Sequence, residues 1–340
     1  MSEYLEKVRQ GSPRVIARLI TAVENDNGIA QDMTSELYGH TGKSYIVGVT
    51  GPPGCGKSTL VNELAKKFND QGKSVAIIAV DPSSPFTGGA LLGDRVRMSD
   101  IAGREGVFIR SMASRGTLGG LAQATSTAIR ILDVSGYEII LIETVGAGQA
   151  EVDIASVAHT TLVVEAPGGG DEVQSIKAGI LEIADIFIVN KADRPSSLQT
   201  VRMLEMMLQL GRPPVSKHHA SLPNENPFQF QQDLNPSSQW QVPVMKTVAI
   251  EGKGIYELID KLKEHQDYLV NTGELFEREL QRSRQEIERL LQNQIISRSR
   301  HSIMAEERDR FVTAVARREM DPYTAAEQLF ELANSRSSQI

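Results

Sequence analysis

Seven short apolar runs recur between Tyr45 and Ile250: YIVGVT, SVAIIAV, GVFIRS, YEIILIE, TTLVVEA, IFIVN and VPVMKTVAI. Each is nearly continuous in apolar, often β-branched residues rather than alternating with polar ones, which is how strands buried on both faces read. Helical stretches separate them. The pattern predicts an α/β fold with a mostly parallel central sheet flanked by helices.

Outside that rhythm the chain reads as helix. Residues 13–24, PRVIARLITAVE, place Val15, Ile16, Leu19, Ile20 and Val23 at helical spacing after Ser12 as a cap and Pro13. After Gly254 no strand pattern remains, and IYELIDKLKEHQDYLV, ELFERELQRSRQEIERLLQNQI, AEERDRFVTAVARRE and PYTAAEQLFELA all have helical periodicity. Asp321 before Pro322 marks the start of the last. Residues 213–243 carry six prolines with Asn, Ser and Gln between them, so they read as an insertion before the last strand; Phe228, Phe230 and Trp240 suggest that it packs locally. Three parts result: an N-terminal helical segment at 1–43, a sheet domain at 44–265 and a C-terminal helical region at 266–340. In the last, Phe276, Leu280, Ile287 and Leu291 form a narrow apolar stripe among Arg278, Arg282, Arg284 and Arg289. Such a stripe suits a partner helix and a homodimer arm, or a helix folded back on its own chain.

Composition narrows the chemistry. The 340 residues carry a formal net charge of −7, which disfavours a surface for nucleic acid. Cys55 is the single cysteine, so no intramolecular disulfide and no zinc cluster is expected, and a reducing compartment fits. The adjacent pair His218 and His219 is better read as solvent-exposed than as a metal site. MSEYLEKVRQ has neither the apolar run of a signal peptide nor the Arg-rich, acid-poor character of a mitochondrial presequence. A cytoplasmic protein without a membrane anchor is the expectation.

The strand IVGVT runs into Gly51, Pro52, Pro53, Gly54, Cys55, Gly56, Lys57, Ser58 and Thr59, and then into the helical LVNELAKKF. This is G-x-x-x-x-G-K-[ST] in its strand–loop–helix setting. Backbone N–H groups of such a loop point at phosphate oxygens, the helix offers its positive end, Lys57 adds a mobile charge and Ser58 a ligand for Mg2+. Cys55 reads as a small space-filling residue, since no resolving thiol accompanies it.

IFIVN ends in Asn190, Lys191, Ala192 and Asp193, the N-K-x-D arrangement that reads guanine. Asp193 can accept from guanine N1–H and its exocyclic amine, donors that adenine lacks at those positions. A charge-assisted bond of roughly 1.5–3 kcal/mol makes the preference for GTP over ATP at least about tenfold. Asn190 would tie this loop to the phosphate loop, Lys191 would cover the purine face with its stem, and an N–H of Val248, Ala249 or Ile250 would reach guanine O6. Carboxylates for magnesium belong at strand ends: Asp81 and Glu143, with Asp94 from the glycine-rich stretch as a third.

In order along the chain, the phosphate loop, DPSSPFTGGALLGDRVRM, SRGTLGGLA, ETVGAGQAEVD, PGGGDEVQSIKAGI and VNKAD together resemble the MeaB/ArgK/MMAA family of P-loop GTPases over about residues 13–265. The resemblance implies a P-loop NTPase fold and a GTPase that forms homodimers. It also implies a chaperone role toward adenosylcobalamin-dependent acyl-CoA mutases, chiefly methylmalonyl-CoA mutase, gating cofactor loading and protecting or reactivating the mutase. Carried over by motif, residues 51–59 bind phosphates, Asp81, Asp94 and Glu143 serve magnesium, and Asn190, Lys191 and Asp193 read guanine. Mobile segments fall at 82–98, 145–153 and 168–177. In the last, Gln174 and Lys177 would face the nucleotide or the partner, or simply form a solvated helical face. Two other functions compete. A nickel-insertion GTPase would need a Cys/His cluster that the sequence lacks, and a kinase linked to amino-acid transport proteins would need a phosphoacceptor pocket and lid that the sequence does not reveal.

Overall fold

The computed structural model describes residues 3–10, 12–81, 100–113, 123–144, 153–168, 182–210, 240–303 and 305–337. These divide into two compact units, Met1–Phe276 and Glu277–Ile340.

In the first unit the seven apolar runs become one sheet. The strands are β1 (Tyr45–Thr50), β2 (Val75–Asp81), β3 (Val107–Ala113), β4 (Ile139–Thr144), β5 (Thr160–Glu165), β6 (Ile186–Val189) and β7 (Val244–Lys246). They lie in the order β3-β2-β4-β1-β5-β6-β7, and every neighbouring pair is parallel. Side chains of one strand alternate between two cores, which explains why the runs read as continuously apolar. Val47, Val49, Leu141, Leu162 and Ile188 face one side with Leu60, Leu64, Leu258 and Leu262. Ile78, Ile140 and Ile142 face the other with Ile16, Ile20, Val23, Met33 and Leu132. A third, smaller core gathers Val163, Phe187, Val189 and Leu204.

The helices of this unit are α1 (Glu3–Arg9), α2 (Pro13–Asn25), α3 (Asn27–Leu37), α4 (Lys57–Asp70), α5 (Gln123–Val134), α6 (Ser197–Leu210) and α7 (Ile255–Thr272). In α2 the expected spacing buries Ile16, Ile20 and Val23, with Pro13 in the first turn, where its missing N–H costs nothing. Ser12 holds the cap position without a side-chain hydrogen bond. The next junction is capped from the side chain, because Asp26 Oδ1 accepts from the N–H of Gly28 and Ile29. The chain then enters the sheet over Asp133 of α5. Its carboxylate accepts the N–H groups of Gly42, Lys43 and Ser44 and the Ser44 hydroxyl, so a buried charge is held by donors from the linker into β1.

A buried polar network closes the edge opposite the nucleotide-type loops. His265 of α7, with no exposed surface, lies 2.7 Å through Nδ1 from Thr160 Oγ1 and 3.3 Å through Nε2 from Asp185 Oδ1. Tyr45 hydrogen-bonds the same threonine hydroxyl and the carbonyl of Leu262. Trp240, the one aromatic of the proline-rich insertion that is described, packs with its ring centroid 4.6 Å from that of His265 at a tilt of 58° and donates to Asp185 O. Phe228, Phe230, His218 and His219 lie outside the described residues.

The second unit holds most of α8 (Glu274–Ser302), with α9 (Ala305–Ala316) packed on α10 (Pro322–Ser337). Asp321 caps α10 as the sequence leads one to expect, taking the N–H of Tyr323 and Thr324 and the Thr324 hydroxyl. Those bonds hold its carboxyl below the ordinary range. Among the described residues of this unit, the buried apolar ones are Ala325 and Ala333. Leu280, Ile287 and Leu291 stay exposed, as do Val312, Tyr323 and Phe330.

Candidate functional site

Strand β1 lies between β4 and β5, so the chain direction of the sheet's connections reverses beside it, and its carboxyl end opens the crevice where α/β sheets bind ligands. The loop of residues 51–56 leaves β1 there and feeds α4 at Lys57. Gly51 has φ +139°, and a Cβ on it would sit 2.1 Å from the carbonyl oxygen of Val164, so only glycine lets the loop start this close to β5. Gly56 has φ +96°, and a Cβ on it would lie 2.4 Å from Asn190 Nδ2.

Lys57 is buried, and its ammonium donates to Gly51 O at 2.7 Å and Pro52 O at 2.9 Å, curling the loop around its own side chain. Ser58, one residue on, donates to Glu143 Oε1 at 2.6 Å from the first turn of α4 to the end of β4. Pro53, Gly54 and Thr59 are exposed at the loop rim. Beneath the loop, Thr144 Oγ1 donates to Thr50 Oγ1 at 3.0 Å, tying β4 to β1.

Asn190 is the hub of the base side. Its amide nitrogen donates to Cys55 O at 2.9 Å, and its amide oxygen accepts from Thr247 Oγ1 and from the N–H of Ala249. Its own backbone N–H donates to Glu165 O. Lys191 adopts φ +56° and reaches back to donate to Gly54 O at 2.6 Å. Asp193 is exposed, open to an incoming group. Of the three N–H groups expected near guanine O6, that of Ala249 already serves Asn190 and that of Val248 pairs with Lys253 O. Ile250 is 85% exposed on the intervening turn.

The structure thus brings residues 51–59, Glu143, Asn190, Lys191, Asp193 and residues 248–250 to one end of one sheet. The backbone of Asp81 ends β2 beside Ala113, and its side chain lies outside the description. Asp94, Gln174 and Lys177 lie outside the described residues, with most of the segments 82–98, 145–153 and 168–177. Two buried polar residues at the site were missed from the sequence. Glu165, 7% exposed, ends β5 beside the phosphate loop, and the signal was a carboxylate closing an otherwise apolar run. Asn62, 6% exposed, sits on α4 one turn past Ser58, where a helix core position would ordinarily be apolar.

Cys55 has the character of a packed residue. Burial pushes its thiol from an ordinary 9.0 up to about 11, Lys57 pulls it down, and the carboxylates of Glu165 and Glu143 push it further up.

A glycine-rich loop between a central parallel strand and a helix, with a lysine wrapped into it, defines a P-loop nucleoside triphosphatase. The comparisons with known proteins carry this to a family. The model described as methylmalonyl-CoA mutase-associated GTPase MeaB matches residues 16–304, and the chain belongs to that family of guanine-nucleotide-binding P-loop proteins. A putative GTPase of Pyrococcus abyssi is 44% identical over 331 residues, covering 97% of this chain and 96% of that protein. The mitochondrial methylmalonic aciduria type A homolog of Mus musculus is 35% identical over 239 residues, 68% of this chain and 51% of that one. The crystal structure of an LAO/AO transport system kinase superposes with a TM-score of 0.69 at 25% identity, covering 98% and 97% of the two chains.

The raised thiol links Cys55 to stability. A group protonated in the fold beyond its unfolded pKa stabilises fully below pH 9 and loses that contribution as pH rises through about 11. The loss is about 2–3 kcal/mol. Urea unfolding of wild type and Cys55→Ala across this window is expected to show the wild-type advantage shrinking with pH. A gap that stays constant from pH 8 to pH 11 would show that the thiol does not titrate with folding.

Proposed function

We propose that this protein hydrolyses GTP and uses the cycle as a G-protein chaperone of an adenosylcobalamin-dependent acyl-CoA mutase of the methylmalonyl-CoA mutase type. The observation that carries the nucleotide half is the Asn190 hub, which locks an N-K-x-D loop to the phosphate loop through Cys55 O. The family description carries the partner half. In this reading residues 51–59 cradle the phosphates, and Lys57 turns its ammonium from Gly51 O and Pro52 O toward phosphate oxygens. Asp193 takes the guanine donors, while Lys191 and the 248–250 turn line the base.

Magnesium fits the donors present. Ser58 and Glu143 offer a hydroxyl and a carboxylate, both hard oxygen ligands, already within 2.6 Å of one another. Asp81 and Asp94 join them in the proposal. When bound, the ion would neutralise charge on the β- and γ-phosphates. Glu143 would then exchange its bond to Ser58 for a bond to the ion or its water. Lys57, Glu143, Gln174 and Lys177 are the proposed catalytic set.

Two features support a homodimer. The second unit buries only two alanines among its described apolar residues, too little for three helices to hold themselves together. The stripe through Phe276, Leu280, Ile287 and Leu291 is exposed along one helix. A cytoplasmic site of action accords with a free thiol at Cys55, and no helix among the described residues is long and apolar enough to cross a membrane.

Asp193→Asn is expected to move the preference from GTP toward xanthosine triphosphate by at least about tenfold, since the guanine donors lose a charged acceptor. Equal GTP selectivity in a competition titration would take Asp193 out of the base site. For the dimer, Leu280→Glu with Ile287→Glu in the full chain is expected to halve the mass seen by light scattering while nucleotide binding persists. An unchanged mass would place the contact elsewhere.

The partner is tested by turnover. A residue supplied or ordered by a partner can be worth roughly 10³–10⁵ in GTPase rate, so isolated turnover should be slow and an acyl-CoA mutase should raise it. Lys177→Ala is expected to blunt that stimulation. Equal stimulation in both proteins removes Lys177 from the coupling, and no stimulation by any acyl-CoA mutase refutes the mutase as client.

A further inference from the structure

Asn62 poses a problem of free energy. It is 6% exposed, its Nδ2 donates to Glu63 Oε1 at 3.3 Å, and its buried Oδ1 has no hydrogen-bond partner among the described residues. The other buried positions along this part of α4, Leu60, Val61, Leu64 and Ala65, are apolar. A buried acceptor without a donor destabilises the fold, and a leucine at the same place would not. A donor on a bound group would remove that cost.

Position says what. Residues four apart on a helix share a face, with Cβ atoms about 5–6 Å apart, so Asn62 stands on the flank of α4 that carries Ser58. Ser58 Oγ is bonded there to Glu143 Oε1 at 2.6 Å. Further along α4, Lys66 pairs with Glu63 and with Asp100, so the cation nearest in sequence is already engaged. A magnesium ion on Ser58 keeps several of its waters, and each has protons that need acceptors.

We propose that Asn62 is a positioning residue of the metal site, its Oδ1 accepting a proton of a metal-bound water on the Ser58 side of α4. This rests on the reading of Ser58 and Glu143 as the magnesium end of a guanine-nucleotide site. In this reading the bound water would satisfy the buried oxygen.

The test follows a fluorescent GDP on the full-length protein while magnesium is titrated. Asn62→Leu is expected to raise the magnesium concentration needed for half-maximal retention by about tenfold or more, the usual effect of removing a partner of a metal's bound ligands. GDP affinity in excess EDTA should stay within about twofold, and the melting temperature of the empty protein should hold or rise, because an unpaired acceptor is gone. Asn62→Asp, which keeps an acceptor in place, should keep the magnesium requirement of wild type or lower it. Should the leucine not fold, Asn62→Ala carries the same three readouts. An unchanged magnesium requirement in Asn62→Leu overturns the proposal, and so does a loss of GDP affinity in EDTA, which would make Asn62 a structural residue of the fold. If wild-type GDP retention is itself indifferent to magnesium, the magnesium reading fails and this proposal with it, an outcome separable from the first because it needs no variant.

Discussion

One side chain holds the site together. Asn190 sits at the end of β6 and bonds the phosphate loop through Cys55 O, the last loop through Thr247 and Ala249, and β5 through Glu165 O. Two segments far apart in sequence thereby share one planar side-chain amide, whose donor and acceptor ends are held in fixed relation, and the backbone N–H of the same residue joins β5 as a third. The close packing of Gly56 against that amide leaves no room for a Cβ. The distance between a phosphate-binding loop and a base-reading loop is set by this contact, and a purine nucleotide has a fixed length between those two ends. In the proposed reading, rigidity here is what would make discrimination at Asp193 possible.

Around the hub the charged and polar side chains bond to the protein itself. Lys57 donates to the carbonyls of its own loop, Lys191 to Gly54 O, and Ser58 to Glu143. Each of these groups belongs to the proposed nucleotide site and is bonded to the protein. Ligand binding then becomes an exchange of hydrogen bonds rather than a creation of buried charge, which keeps the desolvation cost of a buried lysine and a buried glutamate low in both states. Asn62, one helical turn from Ser58, departs from this rule, since its Oδ1 has no hydrogen-bond partner among the described residues.

The two units contrast in how they obtain stability. In the first, two large apolar cores sandwich a parallel sheet, and even the polar groups at its far edge, His265, Thr160, Asp185 and Tyr45, are joined in one network. The second has helices with good local signals, including the Asp321 cap, and leaves several large apolar side chains, Leu280, Ile287, Leu291, Val312, Tyr323 and Phe330 among them, exposed. Local propensity can specify helices, but only burial of an apolar face makes them stable.

The sequence by itself determined the sheet, because seven near-continuous apolar runs have no stable home except as strands buried on both faces. It also located the phosphate loop and the N-K-x-D loop at strand ends, since short motifs there depend on local backbone geometry and that geometry is local in the chain. The helix starts at Pro13 and Asp321 were legible for the same reason, although Ser12 turned out to cap by position alone. Only the tertiary structure decided what those motifs touch. That Asn190 would bond Cys55, Thr247 and Ala249 together, that Val248 and Ala249 would already have spent their N–H groups, and that Trp240 would lie on His265 all depend on strands meeting in the order β3-β2-β4-β1-β5-β6-β7. The burial of Glu165 and Asn62 was hidden for that reason too: a polar residue's cost or use depends on what packs around it, and sequence spacing carries no record of neighbours more than a few residues away.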